Sequence, residues 1–182
     1  DVADSAYAGA TVGLPGSVDR RGLALRGAVY TGSYDYLNGS TTIDADFTGG
    51  QAELIYRFGT GPTWGSVGLG YRYVDTDLSP GDPGNRRSGG QGEMMVSLDG
   101  GHVAGPWRVD WNGSYGFRLD DYDALASLTH TIGSSGRLRA GMEIAADGDS
   151  NYSAYHVGPM LGVKVGEDAE FQLSAGFSDG DG

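Results

Sequence analysis

The stretch DGDSN at 147–151 has the spacing with which a calcium loop begins. Asp147, Asp149 and Asn151 alternate, so their oxygens could converge on one hard cation. An EF-hand would next need Gly, where the chain has Tyr152, and later a bidentate Glu, where it has Gly158. The stretch is therefore no EF-hand, and a hydrated turn between strands is the reading it favours. A second acidic stretch offers Asp75, Asp77, Asp82 and Asn85, followed by Arg86 and Arg87. Those arginines could pair with the aspartates and fix the loop, or the carboxylates could hold calcium or magnesium weakly. Asp75, Asp77, Asp82, Asp147 and Asp149 are thus the metal candidates, and no other cofactor is implied.

Nucleophilic chemistry has less to draw on. The chain has no cysteine and three histidines, His102, His130 and His156. A triad needs a serine and a carboxylate converging on one histidine, and the spacing brings none together. His102 is expected in a compact turn, His130 on an apolar strand face and His156 on a polar one. GGQGE at 89–93 is glycine-rich but precedes a strand pattern, so it lacks the helix that phosphate binding requires. No catalytic residues are assigned, and an enzyme is not expected.

The elements that carry these residues are strands. The chain has 182 residues, 34 of them glycine, and is 38% hydrophobic. The glycines follow no period of three, which excludes collagen. Ordered alternation of aromatic residues argues against disorder. A net charge of −12 argues against nucleic-acid binding. No run approaches the roughly 18 apolar residues of a membrane helix. Alternation recurs near 5–14, 23–36, 46–58, 66–74, 93–101, 107–117, 122–132, 138–146, 153–165 and 170–178. Pro and Gly turns separate the segments. Sequential hairpins joining such strands form one antiparallel meander, a single domain over 1–182.

A period of two gives every strand two unlike faces. In WRVDWNGSYGFRL, 107–119, Trp107, Val109, Trp111, Tyr115 and Phe117 share one face, and Arg108, Asp110 and Asn112 the other. Sorted throughout, one parity is apolar and aromatic. The opposite parity holds Arg26, Glu53, Arg57, Arg72, Glu93, Asp99, Arg108, Asp110, Arg118, Arg139, Glu143 and Lys164, among many glycines and serines.

Alternation alone fits a soluble barrel with an apolar interior or a membrane barrel with a charged lumen. Three features favour the membrane form. Small residues crowd the charged parity, as a narrow lumen requires. The segments are mostly nine residues or more, against about five or six in soluble sheets. Apolar-parity aromatics gather at the strand ends, like the girdles at two membrane–water interfaces. The charged residues above would then line the lumen. Their interleaved signs suggest ion pairs bracing the wall rather than a strongly selective pore.

The connections also have sides. Compact turns fall at 15–21, 59–65, 102–106, 133–137 and 166–169. The opposite rim carries more than half of the 24 acidic residues and the longest loop, 75–92. Longer loops face outward in outer-membrane barrels, so the acidic rim is expected outside. Both chain ends would then lie outside. One further strand at each end would restore the usual even count with periplasmic termini, making twelve. The chain is accordingly expected to lack the first and last strands of the full protein.

The segments YAGATVGLPGS (7–17), IDADFTGGQAELIY (43–56), YRYVDTDLSPGDPGNRRSGG (71–90) and GPWRVDWNGSYGFRLDDY (105–122) resemble the cellulose biosynthesis protein BcsS family. The resemblance runs over most of the chain and is most specific at 75–85. It implies a bacterial outer-membrane protein linked to cellulose, an exopolysaccharide, and supplies no active site.

The resulting expectation is an all-β, antiparallel, up-and-down transmembrane β-barrel of about ten strands. It would serve as a non-catalytic scaffold or narrow channel in the bacterial outer membrane. Its partners would be outer-membrane lipid or lipopolysaccharide, and a polysaccharide or other cell-envelope proteins. Two alternatives stay open: a soluble lipocalin-like binder, and a membrane-embedded lipid hydrolase.

Overall fold

The computed structural model describes residues 4–17, 21–133, 136–150, 153–165 and 169–181. The strands are β1 (Asp4–Gly13), β2 (Gly22–Asn38), β3 (Thr41–Thr60), β4 (Thr63–Ser79), β5 (Gly89–Ala104) and β6 (Trp107–Gly116). They continue with β7 (Tyr122–Ile132), β8 (Leu138–Gly148), β9 (Ser153–Val165), β10 (Ala169–Ser174) and β11 (Phe177–Asp181). No helix occurs among the described residues. Each strand from β1 to β10 is hydrogen-bonded to the next, and β11 also pairs with β9. The result is an all-β, antiparallel, up-and-down sheet, the construction of a β-barrel wall.

The last two strands are one line of pairing. β10 sets Ser174 opposite Met160, and β11 sets Phe177 opposite Val157, so the register is unchanged across the break. The break lies opposite Pro159. The Ala175 amide donates to the Pro159 carbonyl at 3.3 Å, but proline has no N–H to return the bond. The sheet therefore has ten strand lines, as expected.

Four strands run further than the sequence suggested. β2, β3, β4 and β5 have 17, 20, 17 and 16 residues. The expected loop at 37–45 is a hairpin that turns at Gly39, whose φ is 64°. Asn38-Gly39 supplies left-handed turn chemistry, and Ile43 and Ala45 continue the buried alternation. The expected loop 75–92 shrinks likewise, since Asp75 to Ser79 belong to β4 and Gly89 to Gly92 to β5. Aspartates assigned to loops thus ride on strands.

The chain groups into two compact units. One comprises Asp1–Tyr56, Gly68–Val96 and Gly116–Leu119, and the other Arg57–Val67, Ser97–Tyr115 and Asp120–Gly182. In both units the two strand faces differ in exposure, and in the same sense. In the first, Leu54, Leu69, Tyr71 and Met94 are exposed, while Glu53 is 2% and Glu93 5% exposed. In the second, Leu128, Met142, Ile144 and Leu161 are exposed, while Thr129 is 0% and Arg139 8% exposed. Among the described residues the buried apolar ones are few, and half of them are alanine: Ala24, Ala28, Ile43, Ala45, Ile55, Met95, Ala154 and Met160. The apolar parity is the exposed one, and most charged side chains of the opposite parity are partly or fully covered.

Glycine makes this covering possible. A Cβ on Gly70 would lie 2.5 Å from the Glu53 Cγ and 2.9 Å from its Cα. On the exposed face a Cβ on Gly100 would lie 2.7 Å from the Trp111 ring. Trp111 is accordingly half-buried rather than fully exposed.

Candidate functional site

The charged face is a set of short polar circuits. Arg26 on β2 donates Nε to Glu53 Oε1 at 3.0 Å and Nη2 to Oε2 at 2.9 Å. Gln51 Nε2 donates a further hydrogen bond to Glu53 Oε1 at 3.0 Å. Two strands on, Arg72 donates Nε and Nη2 to Glu93 Oε1 at 3.2 and 2.6 Å. The other Glu93 oxygen accepts the backbone N–H groups of Arg118 and Leu119, at 3.1 and 3.2 Å. Buried carboxylates held by several charge-assisted bonds keep their charge at tolerable cost.

In the second unit, Ser66 donates to Asp99 Oδ1 at 2.6 Å. Arg108 donates Nε to both Asp110 oxygens at 2.8 and 2.7 Å, and stands 5.0 Å from the centre of the Trp64 ring. Arg139 Nη1 lies 3.8 Å from Asp110 Oδ2 and donates to Thr129 Oγ1 at 3.3 Å. The Arg57 Nε is buried and has no hydrogen-bond partner among the described residues. Glu143 is half-buried.

Two members of the expected set stand apart. Lys164 keeps the polar parity but is exposed, because it sits next to last in β9. Arg118 lies beyond the end of β6, in a turn, and is exposed. Its Nη1 donates to the Gly92 carbonyl at 3.3 Å, which ties the turn to β5.

No group of three His, Cys, Asp or Glu side chains is placed to hold a metal among the described residues. Asp75 and Asp77 are exposed on β4. Asp82 accepts the Gly84 N–H at 3.1 Å, an Asx turn, and the Tyr36 hydroxyl at 2.8 Å. Asp147 Oδ1 meets His156 Nε2 at 3.2 Å, and Asp149 is half-buried just beyond β8. Asn151 and Tyr152 lie outside the described residues. Arg86 reaches the Arg118 carbonyl at 3.1 Å, and the Arg87 N–H donates to Asn85 Oδ1 at 2.8 Å.

The histidines have separate surroundings. His102 is in β5 rather than a turn, with Nδ1 2.7 Å from Thr63 Oγ1. His130 meets the Trp107 ring edge-on, with centroids 4.6 Å apart. His156 is exposed beside Asp147. None pairs with a serine hydroxyl among the described residues.

Tyr30, Tyr34 and Tyr36 lie half-buried on the polar parity of β2. Phe47 on β3 joins them. Its ring centroid is 6.4 Å from Tyr30 and 6.2 Å from Tyr34, and Tyr34 is 6.2 Å from Tyr36. Tyr7 on β1 stands directly opposite Tyr30 and so shares this face. The row ends in polar groups, where the Tyr36 hydroxyl donates to Asp82 and accepts from Asn85 Nδ2 at 2.8 Å. Burial pushes the Tyr36 phenol above its ordinary pKa, and Asp82 adds to the rise against a lowering by Asn85. Phe47 follows the alternation through Glu53 and Ile55, which is the signal that could have found it. Tyr7 needed the β1–β2 register.

The family model for cellulose biosynthesis protein BcsS matches residues 1–182. No curated protein and no solved structure matches the chain.

Proposed function

The chain belongs to the cellulose biosynthesis protein BcsS family, and from that premise we propose that it is a wall of a β-barrel in the bacterial outer membrane. In this reading it is a non-catalytic scaffold or narrow conduit for the cellulose-producing machinery. The carrying observation is the inversion of the two faces. Water-soluble sheets bury their apolar side, and a soluble monomer rarely exposes an apolar patch beyond about 300–600 Å². Here Leu, Val, Ile, Tyr and Met side chains stand exposed along strand after strand, while Glu53, Glu93 and Arg139 are buried. A lipid solvent makes both choices favourable. A soluble lipocalin-like binder would need the reverse.

Dimensions support the same reading. On β9 the exposed apolar series runs from Tyr155 through Val157, Leu161 and Val163 to Val165. Ten steps of about 3.3 Å, tilted by about 40°, give a height of roughly 25 Å, the height of the apolar band of such barrels. The ion pairs favour a braced interior over a strongly selective pore. The rim aspartates face the level where lipopolysaccharide headgroups would lie, and hydrated calcium or magnesium would reconcile the two negative layers.

Two arginine substitutions test the facing. Leu128→Arg places a charge on the exposed apolar face and should cost about 2–4 kcal/mol on folding into lipid vesicles. Asn112→Arg, on the polar parity of β6 where the side chain is exposed, should cost less. The opposite order, or folding that ignores lipid, overturns the proposal.

A further inference from the structure

We propose that the aromatic row across β1, β2 and β3 is a binding strip for a β-1,4-linked glucan chain. This deepens the reading of the protein as part of the cellulose-producing machinery and rests on it.

A Cβ on Gly49 would fall 2.5 Å from the Tyr30 ring, and one on Gly9 would fall 2.7 Å from the Tyr7 hydroxyl. Both rings therefore rest against the sheet over glycines and turn their other surfaces outward from it. Tyr34 and Phe47 continue the row, their centroids 6.2 Å apart, and Tyr30, Tyr34, Tyr36 and Phe47 are half-buried rather than sealed. Tyr7 is 67% exposed. A row of partly open ring faces about one hexose apart suits a polymer that repeats a flat unit.

The chemistry selects the polymer. In a β-1,4-glucan the ring hydroxyls are equatorial, so each sugar has apolar C–H faces and a polar edge. The faces stack on aromatic rings, and the edge needs hydrogen-bond partners. At the end of the row Tyr36, Asp82 and Asn85 supply a hydroxyl, a carboxylate and an amide within one connected set. The nearest basic group placed on this face of β2, Arg26, is already held by Glu53 through two bonds. The strip thus offers stacking along its length and a hydroxyl, a carboxylate and an amide at its end, which fits an uncharged polysaccharide.

The test titrates cellotriose, cellohexaose and maltohexaose into the full chain in detergent micelles by calorimetry. Saturable binding should tighten from cellotriose to cellohexaose and be weaker for maltohexaose, whose α-linkages curve the chain away from a straight row. Tyr34→Leu and Phe47→Leu should each weaken cellohexaose by about tenfold, the loss of one stacked ring. Tyr7→Ser, on an exposed position, should weaken it without a folding penalty, and Tyr56→Ala on the opposite face should leave it unchanged. Absent saturable binding, equal affinity for the two hexaoses, or indifference to Tyr7→Ser overturns the proposal. Insertion into vesicles is scored separately, so loss of glucan binding with intact insertion refutes the strip alone.

Discussion

Arg26 and Glu53 are 27 residues apart in sequence, yet they meet through two parallel hydrogen bonds, at 3.0 and 2.9 Å. The Glu53 side chain has no exposure and the Arg26 side chain 21%. A two-point match of guanidinium and carboxylate fixes geometry as well as charge. The pair joins β2 to β3 on the covered face, where neither charge could be left alone cheaply.

Breaking that pair should therefore cost more than removing it. Glu53→Leu leaves a guanidinium without its main partner and should destabilise by about 3–5 kcal/mol. Adding Arg26→Leu should recover part of that loss. Urea unfolding from lipid vesicles checks the order. A double variant as weak as the sum of the two singles would show that the charges do not act together.

Gly70 should not tolerate a methyl group. Its Cβ would meet the Glu53 backbone and side chain at 2.9 and 2.5 Å. Gly70→Ala should cost about 1–3 kcal/mol through backbone displacement. Gly81→Ala, in a loop with nothing within 4 Å of a Cβ, should be near neutral. Thermal unfolding of the two variants separates a packing requirement from the general cost of losing a glycine.

Tyr36 should titrate late among the 11 tyrosines. Its raised pKa means that the folded state favours the neutral phenol. That contribution to stability is complete below the ordinary value of about 10 and is lost as pH rises through the raised one. Phenolate absorbance should show a late component that vanishes in Tyr36→Phe and moves down in Asp82→Asn. An unchanged curve in both would remove Asp82 as a cause of the shift.

Strand identity and facing were legible in the sequence because a period of two needs no tertiary knowledge. Leu69, Tyr71 and Tyr73 against Gly70 and Arg72 state the two faces of β4 outright. The hairpin at Gly39 was less legible, since Asp44 and Asp46 resemble loop residues when read without Ile43 and Ala45 between them. Partners were not legible at all. Arg26 could have met any acid on a neighbouring strand until the register chose Glu53, and the backbone donors of Arg118 and Leu119 to Glu93 follow from a turn. The aromatic row failed to appear for the same reason. Its members sit on three strands, and only pairing brings them side by side.

The exposed face of β3 and β4 changes character along its length. Leu54, Tyr56 and Phe58 give way to Asp44 and Asp46, and Val67, Leu69, Tyr71 and Tyr73 give way to Asp75 and Asp77. If that face meets lipid, the step from tyrosine to aspartate is a waterline. Sinking the wall by one pair of residues would draw Asp75 and Asp46 toward hydrocarbon, where a charged side chain costs up to about 3 kcal/mol at full depth. Rising by the same amount would strip lipid first from Tyr73, the last exposed apolar side chain before Asp75 on β4. The two penalties act in opposite directions, so the protein would float at one level and resist being pulled along the membrane normal by whatever it holds.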